Sequence, residues 1–284
     1  MSLRILTRLW EKFKYGLNGK MEHDGVNAAC DAALKKINFS KYRARYFVYA
    51  AMAGCFCSMG MALAFSVSAG FYSSEALRGA HTFMLGAMFT LSFTLITFAG
   101  AELFTGNVLV MTMAFLQRKI KFSECAGLLA YCYLANICGA AFMGLIISLT
   151  GVLAGQTGDM LVFMAREKAA LSLMHGFFRG VMCNMMVCLG TWCVLKLKSE
   201  SAKLIILFWC VLGFVALGYE HSIANAGIFT MAALCNTGSP IGYQGIILNM
   251  LPVTLGNLAG GSVFVALVYW FSGGGQKATG SQKE

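Results

Sequence analysis

The 284-residue chain is poor in charge and almost free of proline. Charged side chains make up 12% of it, whereas soluble domains average about 25%, and only 2 residues are proline. With 58% hydrophobic residues, a soluble fold of this size would leave too much apolar surface in water, and a disordered chain would leave still more. The 32 glycines suit close helix packing in lipid. The composition therefore predicts an integral membrane protein.

The sequence also lacks the spacing of a metal or redox centre. Its 11 cysteines form no repeated CxxC pattern of the kind that binds zinc or an iron–sulfur cluster, and many lie in apolar runs, where cysteine is a small packing residue. We expect no metal, no cofactor and no disulfide framework. A membrane enzyme is disfavoured, because His221 is the one histidine expected at membrane depth.

Apolar runs predict six transmembrane helices, at about 20 residues per span. The runs cover roughly 46–70, 82–117, 123–150, 170–195, 203–235 and 243–271. Six spans place most of the 22 basic residues on one side, which predicts a multi-pass cell-membrane protein with both termini in the cytoplasm. The exceptions are Arg78, Arg166, Lys168 and Arg179. The net charge of +10 then requires no nucleic-acid partner.

Three regions are expected along the chain. Residues 1–45 form a cytoplasmic segment without a cleavable signal, residues 46–272 form the six-span channel domain, and residues 273–284 form a disordered cytoplasmic tail. Within the first region, residues 22–37 predict an amphipathic helix on the membrane surface. Its apolar positions are Val26, Ala29, Cys30, Ala33, Leu34 and Ile37.

A short pattern occurs once in each half of the chain. Residues 100–107 and 218–225 both read G-x-E-x-x-x-x-N, and residues 136–139 and 257–260 both read N-x-x-G. Chance could produce such patterns, but both copies lie in mid-span and both contain a carboxylate. Because each half has three spans, the second must be inverted, which is the inverted-repeat plan of many transporters.

The repeated motifs predict that spans 2 and 5 are broken helices. Glu102 and Glu220 are expected to hold the breaks by accepting hydrogen bonds from freed backbone N–H groups, and a proton relay is the less favoured role. Asn107 and Asn225 close the two motifs. Irregular backbone at membrane depth must be buried in protein or line a cavity, so the two breaks should meet at a pathway.

Several polar side chains are candidates for that pathway. His221 lies at the second break, where imidazole can attract a small anion, give it a proton or hold it by a hydrogen bond. Thr105 lies at the first break and Asn184 is an amide within a span, so both are plausible partners of the histidine. Charge placement alone favours a solvent-exposed Lys168 at the membrane interface. The alternative is that its positive charge attracts anions to the pathway.

Phenylalanines flank both breaks. Phe89 and Phe93 lie in the second span, Phe104 lies in the first break, and Phe214 lies in the fifth span. Aromatic rings in membrane helices usually pack or face lipid, but on a pore they would form dry constrictions that exclude hydrated ions. Their spacing does not decide between these roles.

Four segments resemble the formate/nitrite transporter family. They are 98–106 (FAGAELFTG), 180–189 (GVMCNMMVCL), 220–225 (EHSIAN) and 252–257 (PVTLGN). The resemblance covers roughly residues 25–271 at consistent spacing. Two departures from the family pattern are Gly190, where alanine is usual, and Ala226, where methionine is common.

The resemblance implies an aquaporin-like protomer of six helices that assembles as a homopentamer with one pore per protomer. Its permeants would be formate above all, or nitrite, hydrosulfide, acetate or lactate. By position, His221 is the central pore histidine, Thr105 the loop threonine that faces it, Lys168 the vestibule lysine and Asn184 the amide near the histidine. The two constrictions would consist of Phe89 and Phe214 on the outer side, and Phe93, Phe104 and Val187 on the inner side. The family often has leucine at the position of Phe93.

The resulting hypothesis is proton-coupled transport. A small anion is drawn by Lys168, is protonated near His221 or pairs with a protonated imidazole, and crosses a dry slit nearly neutral. The alternatives are a fixed-charge anion channel without proton transfer and a neutral-solute channel of the aquaporin type. The latter uses two Asn-Pro-Ala loops, whereas Pro240 and Pro252 lie in Ser-Pro-Ile and Leu-Pro-Val. The expected partners are small anions, protons, lipid and further copies of the chain.

Overall fold

The computed structural model describes residues 24–235 and 242–273, and its regular elements there are helices. Helix α1 covers 24–40. The others are α2 Arg43–Ser73, α3 His81–Leu95, α4 Phe104–Leu116, α5 Phe122–Leu149, α6 Gln156–Ala169, α7 Leu173–Lys196, α8 Glu200–Ala216, α9 Ser222–Leu234, α10 Tyr243–Gly261 and α11 Val268–Ser272. A 3-10 turn, Arg78–Ala80, precedes α3, while π-helical turns at Ile96–Gly100 and Ser262–Leu267 follow α3 and α10. Apart from Gly273, the predicted disordered tail lies outside the described residues.

Within the described ranges, five helical stretches are long and apolar enough to cross a bilayer. They are Arg43–Ser73, Arg78–Gly100, Phe122–Leu149, Leu173–Lys196 and Tyr243–Ser272. Helix α8 has 17 residues, and α4 and α9 are apolar helices of 13 residues each. The expected class, an all-helical protein with several membrane-spanning helices, is therefore the one that the structure has.

Two short connections each separate a pair of consecutive helices. The π-turn after α3 ends at Gly100 and α4 begins at Phe104, while α8 ends at Ala216 and α9 begins at Ser222. Gly100 and Gly218 have φ angles of 88° and 67°, a left-handed backbone that glycine adopts without steric cost. Each glycine thus lets the chain turn before the next helix starts.

Helix α1 packs against the bundle rather than lying free of it. Val26, Ala29, Cys30 and Ala33 are all buried, at 3% exposure or less, because they recur on one face of the helix. Burial raises the pKa of the Cys30 thiol to about 11, which keeps the thiol protonated and unreactive. This face fixes α1 in place and positions the polar side chains near its end.

Glycines bring two pairs of long helices into backbone contact. A Cβ atom at Gly139 of α5 would overlap the carbonyl oxygen of Ala51 in α2, and one at Gly260 of α10 would overlap that of Val181 in α7. Small residues allow this close approach in membrane bundles, where packing rather than water drives association. The α2–α5 and α7–α10 pairs therefore form the rigid frame around the two connections.

Gly139→Ala is expected to destabilise this frame by about 2–3 kcal/mol, because the methyl group meets backbone that cannot move aside. Gly127→Ala in the same helix is the matched control, since a Cβ there has open space around it. Thermal unfolding of both variants in detergent measures the difference. Equal melting temperatures would show that α2 and α5 are not in the described contact.

Candidate functional site

The connection between α3 and α4 is held by one buried asparagine. Asn136 Oδ1 accepts a hydrogen bond from Phe104 N at 2.8 Å. Its Nδ2 donates to the carbonyl oxygens of Ala50, at 2.7 Å, and Glu102, at 2.8 Å. A carboxamide is suited to this position because one end accepts and the other donates two hydrogen bonds.

The connection between α8 and α9 is held in the same way. Asn257 Oδ1 accepts from Ser222 N at 3.0 Å, and its Nδ2 donates to Gly180 O at 2.8 Å and Glu220 O at 2.9 Å. The sequence pattern marked Asn136 and Asn257 only as repeated residues, and their bonding role went unpredicted. Buried backbone groups need partners, and the two N-x-x-G motifs carried that signal.

The two buried glutamates bind side chains rather than the backbone. Glu102 accepts from Lys36 Nζ at 2.7 Å to each oxygen and from Asn107 Nδ2 at 2.8 Å. In the described part of the chain the carboxylates bind side chains and the asparagines bind the backbone, as a carboxylate in a dry interior requires a cation. That the glutamates hold the two breaks stays a prediction. Lys36 was not identified from the sequence, because it lies in an amphipathic helix that resembled a surface element.

Glu220 repeats this arrangement in the second half. It accepts from Lys168 Nζ at 2.7 Å and from Asn225 Nδ2 at 2.6 Å. Asn249 of α10 joins the group, donating to Lys168 O at 2.9 Å and approaching Glu220 at 3.5 Å. The Lys168 side chain is only 14% exposed, so it is neither a solvated charge nor an unpaired one.

Lys168→Met is expected to lower the free energy of unfolding by about 3–5 kcal/mol, because it leaves the buried Glu220 carboxylate without its cation. Lys203→Met is the matched control: Lys203 pairs with Glu200, whose side chain is 66% exposed, and such pairs contribute at most about 1 kcal/mol. Thermal unfolding in detergent compares the variants. The interpretation fails if both have the same melting temperature.

His221 and Thr105 meet at the starts of the two short helices. Thr105 Oγ1 lies 2.9 Å from His221 Nε2, and the two residues are 0% and 2% exposed. His221 Nδ1 accepts the backbone N–H of Ala224 at 3.1 Å and so caps α9. Since a backbone N–H only donates, Nδ1 is unprotonated in this arrangement, and Nε2–H donates to the threonine oxygen.

An aromatic cluster surrounds the histidine ring. The centroids of Phe93 and Phe214 lie 5.7 Å and 6.0 Å from that of His221, and they are 5.9 Å apart. Phe89 contacts both, at 6.1 Å to each. The three phenylalanines are at most 5% exposed. The imidazole therefore lies in a dry, apolar environment with Thr105 as its hydrogen-bonding neighbour.

Two cavities reach this cluster. The first, with a volume of about 200 Å³, is lined by Lys36, Phe93 and Asn107 among others, and we term it the Lys36 cavity. The second, of about 50 Å³, is lined by Lys168, Phe214 and His221 among others, and we term it the Lys168 cavity. The Phe93, Phe214 and His221 rings lie in mutual contact between them.

The remaining predicted site residues lie elsewhere in the core. The Phe104 ring packs edge-on against Tyr133 of α5, with centroids 4.9 Å apart. Asn184 Nδ2 donates to the carbonyl oxygen of Asn257 at 2.6 Å, which places the amide in the α7–α10 contact. Val187 is 3% exposed. The structure thus brings Thr105, His221 and three of the four phenylalanines together, and Cys188 Sγ links Asn184 Oδ1, at 3.6 Å, to the carbonyl oxygen of Thr105, at 3.4 Å.

Fold and site together define a polytopic helical membrane protein with a buried polar pair between two cavities, each lined by a lysine that is paired with a buried glutamate. The family model described as "Formate/nitrite transporter" matches residues 23–271. The chain is 34% identical over 228 residues to the nitrite transporter NirC of Escherichia coli (strain K12), covering 80% of this chain and 83% of that protein. The chain belongs to the formate/nitrite transporter family.

Solved structures show the same fold. A structure described as an FNT family ion channel superposes with a TM-score of 0.82 at 30% identity, covering 88% of this chain and 98% of the other. A pentameric formate channel with formate bound gives a TM-score of 0.72 at 27% identity, covering 82% and 98%.

Proposed function

We propose that the chain is a transmembrane channel or transporter for small monovalent anions of weak acids, with formate as the leading permeant. The carrying observation is the buried Thr105–His221 hydrogen bond beside phenylalanine rings, between two cavities that each contain a lysine. One relative is named a nitrite transporter, and one structural neighbour is a formate channel with formate bound. Nitrite, hydrosulfide, acetate and lactate are the other candidates.

In this proposal the membrane domain has six spans in two inverted repeats. Helices α3 and α4 form the second span and α8 and α9 the fifth, and each span is broken at the connection described above. The matched hydrogen bonds of Asn136 and Asn257 support this pairing of the halves. The distribution of basic residues favours cytoplasmic termini, with the Lys36 cavity inside and the Lys168 cavity outside.

The proposed assembly is a homopentamer in a cell membrane with one pore in each protomer. The pentameric formate channel supports this assembly, since it has the same fold as the chain. The permeation path is expected inside the protomer, because the polar pair and both cavities lie within one chain.

Electrostatics would draw an anion toward the centre. Lys36 and Lys168 each line a cavity, but each is paired with a buried glutamate, so the attraction rests mainly on the short helices α4 and α9, which both begin at the Thr105–His221 contact. A helix N-terminus carries about half a positive charge from the helix dipole, and two of them meet at one place. Phe104 and Val187 stay predicted members of the inner constriction, and Asn184 stays a predicted pore amide.

His221 would determine whether the permeant crosses as an anion or in nearly neutral form. Moving a bare anion between the Phe93, Phe214 and His221 rings would cost many kcal/mol. Protonating the imidazole would remove the cap on α9, because Nδ1 could no longer accept the Ala224 N–H. We therefore favour a neutral His221 that offers its Nε2 proton as a hydrogen bond, with the permeant crossing nearly neutral together with its own proton. The capping contact disfavours the fixed-charge alternative.

Flux into liposomes tests the function. Purified protein is expected to speed uptake of formate, and of some of nitrite, hydrosulfide, acetate and lactate, more at low external pH than at high pH. Thr105→Val keeps the size of the side chain but removes the hydroxyl that contacts His221, and it should reduce formate flux by about tenfold, the effect of losing one hydrogen bond to a charged or strongly polar permeant. Uptake of all five no faster than in empty liposomes would refute the proposal.

A further inference from the structure

Arg179 is a charge on the outside of a membrane-spanning helix. It is the seventh residue of α7 and is exposed in the single chain. Phe178 and Met182, on either side of it, are also exposed, at 59% and 39%. Across the described ranges its guanidinium has no hydrogen bond or ion pair. A charge within a membrane span is costly unless it faces protein or water.

Hydrogen bonds fix the depth of Arg179. Its carbonyl oxygen accepts from Glu220 N at 3.2 Å, and the carbonyl oxygen of Gly180 accepts from Asn257 Nδ2 at 2.8 Å. Asn257 lies near the middle of the Tyr243–Ser272 span, roughly 20 Å from either end at 1.5 Å per residue. Arg179 is thus level with the middle of that span, and it lies about 9 Å along α7 from the first residue of that helix.

Irregular backbone is exposed beside the same arginine. The connection between α8 and α9, whose Glu220 bonds to Arg179, includes Leu217, which is 62% exposed, and Gly218, which is also exposed. The N–H groups of Leu217 and Gly218 donate to Gly213 O and Val215 O, so this part of the connection is hydrogen-bonded within the chain. On this exposed surface it is therefore the arginine charge that requires protein or water around it.

We propose that a second copy of this chain covers the surface formed by Phe178, Arg179, Met182, Leu217 and Gly218, here termed the Arg179 surface. The inference rests on the proposed assembly and names one of its contact faces. A closed ring joins two different faces of each protomer, so this surface would meet another face of the neighbour. The guanidinium has five N–H donors and no acceptor, and it would bond carbonyl or hydroxyl oxygens there.

Photo-crosslinking from position 179 tests the proposal in native membranes. With p-benzoylphenylalanine in place of Arg179, irradiation is expected to give a covalent dimer of the chain, and the same probe at Met182 should do so too. The probe at Lys198, an exposed position between α7 and α8, is the control for random collision. Monomer alone, or lipid adducts alone, at positions 179 and 182 would overturn the proposal.

Native mass spectrometry distinguishes an incorrect contact face from an incorrect assembly. An oligomeric wild type without crosslinks from 179 refutes only this face, whereas a monomeric wild type refutes the proposed assembly as well. Arg179→Leu should raise the protomer concentration at half-dissociation by about tenfold, and Arg179→Lys should raise it less. If Arg179 faced lipid, Arg179→Leu would keep the oligomer intact and raise its melting temperature.

Discussion

Phe93→Ala is expected to turn the closed slit into a leak, raising chloride flux through liposomes by at least about tenfold. The Phe93 ring contacts both Phe214 and His221 and also lines the Lys36 cavity. Removing the ring leaves room for water between the two cavities, and water removes most of the cost of carrying a charge through the slit. Phe93→Leu, which keeps a large apolar side chain, should have a smaller effect.

Phe83→Ala is the matched control for that variant. Phe83 lies in the same helix but is 51% exposed, so its loss should change chloride flux little. Stopped-flow chloride quenching measures both variants after a melting curve shows that they are folded. If folded Phe93→Ala protein conducts chloride no faster than the control, the aromatic cluster does not form the barrier.

His221→Phe should reduce formate flux by about 10- to 100-fold, the effect of losing a hydrogen bond to a strongly polar group. The variant keeps an aromatic ring but has neither the Nε2 donor near Thr105 nor the Nδ1 acceptor for Ala224 N. It should also be less stable by about 1 kcal/mol, the usual effect of losing a helix cap. Formate uptake and thermal unfolding of the same preparation measure the two effects.

His221→Asn separates hydrogen bonding from proton transfer. Asparagine is a favoured helix cap and its amide can donate toward Thr105, but it does not titrate. If His221 acts as a neutral donor, this variant keeps the dependence of formate flux on pH at a reduced rate. If the imidazole itself transfers the proton, the variant loses that dependence, and the proposed role of the capping contact is wrong.

The low number of charged and ionisable residues in the apolar runs made the central site residues recognisable in the sequence. Because few charged or ionisable side chains lie in the apolar runs, Glu102, Glu220 and His221 stood out, and the repeated motif paired the first break with the second. Thr105 was identified both by that pairing and by the family resemblance, and its hydroxyl is the group that contacts the histidine. The rings of Phe89, Phe93 and Phe214 were selected by position, and they do gather around His221.

The sequence did not predict which side chains these residues contact. Lys36 is 66 positions from Glu102 in the sequence. Because the lysine side chain is long and flexible, the position of its backbone does not show which carboxylate its ammonium group contacts. Phe104 lies next to Thr105, but successive helical residues point about 100° apart, and the contact of its ring with Tyr133 was not predicted. Spacing along a helix predicts a face, whereas the pairing of faces depends on how the helices pack.

The movement of charge with formate tests the central claim, that a weak acid crosses the Thr105–His221 slit in nearly neutral form. Proteoliposomes on a solid-supported membrane would be given a formate gradient while current and internal pH are recorded together. The account predicts internal acidification that follows formate entry, with no current above that of protein-free liposomes. A formate-dependent current without acidification would contradict it, because the anion would then cross with its charge.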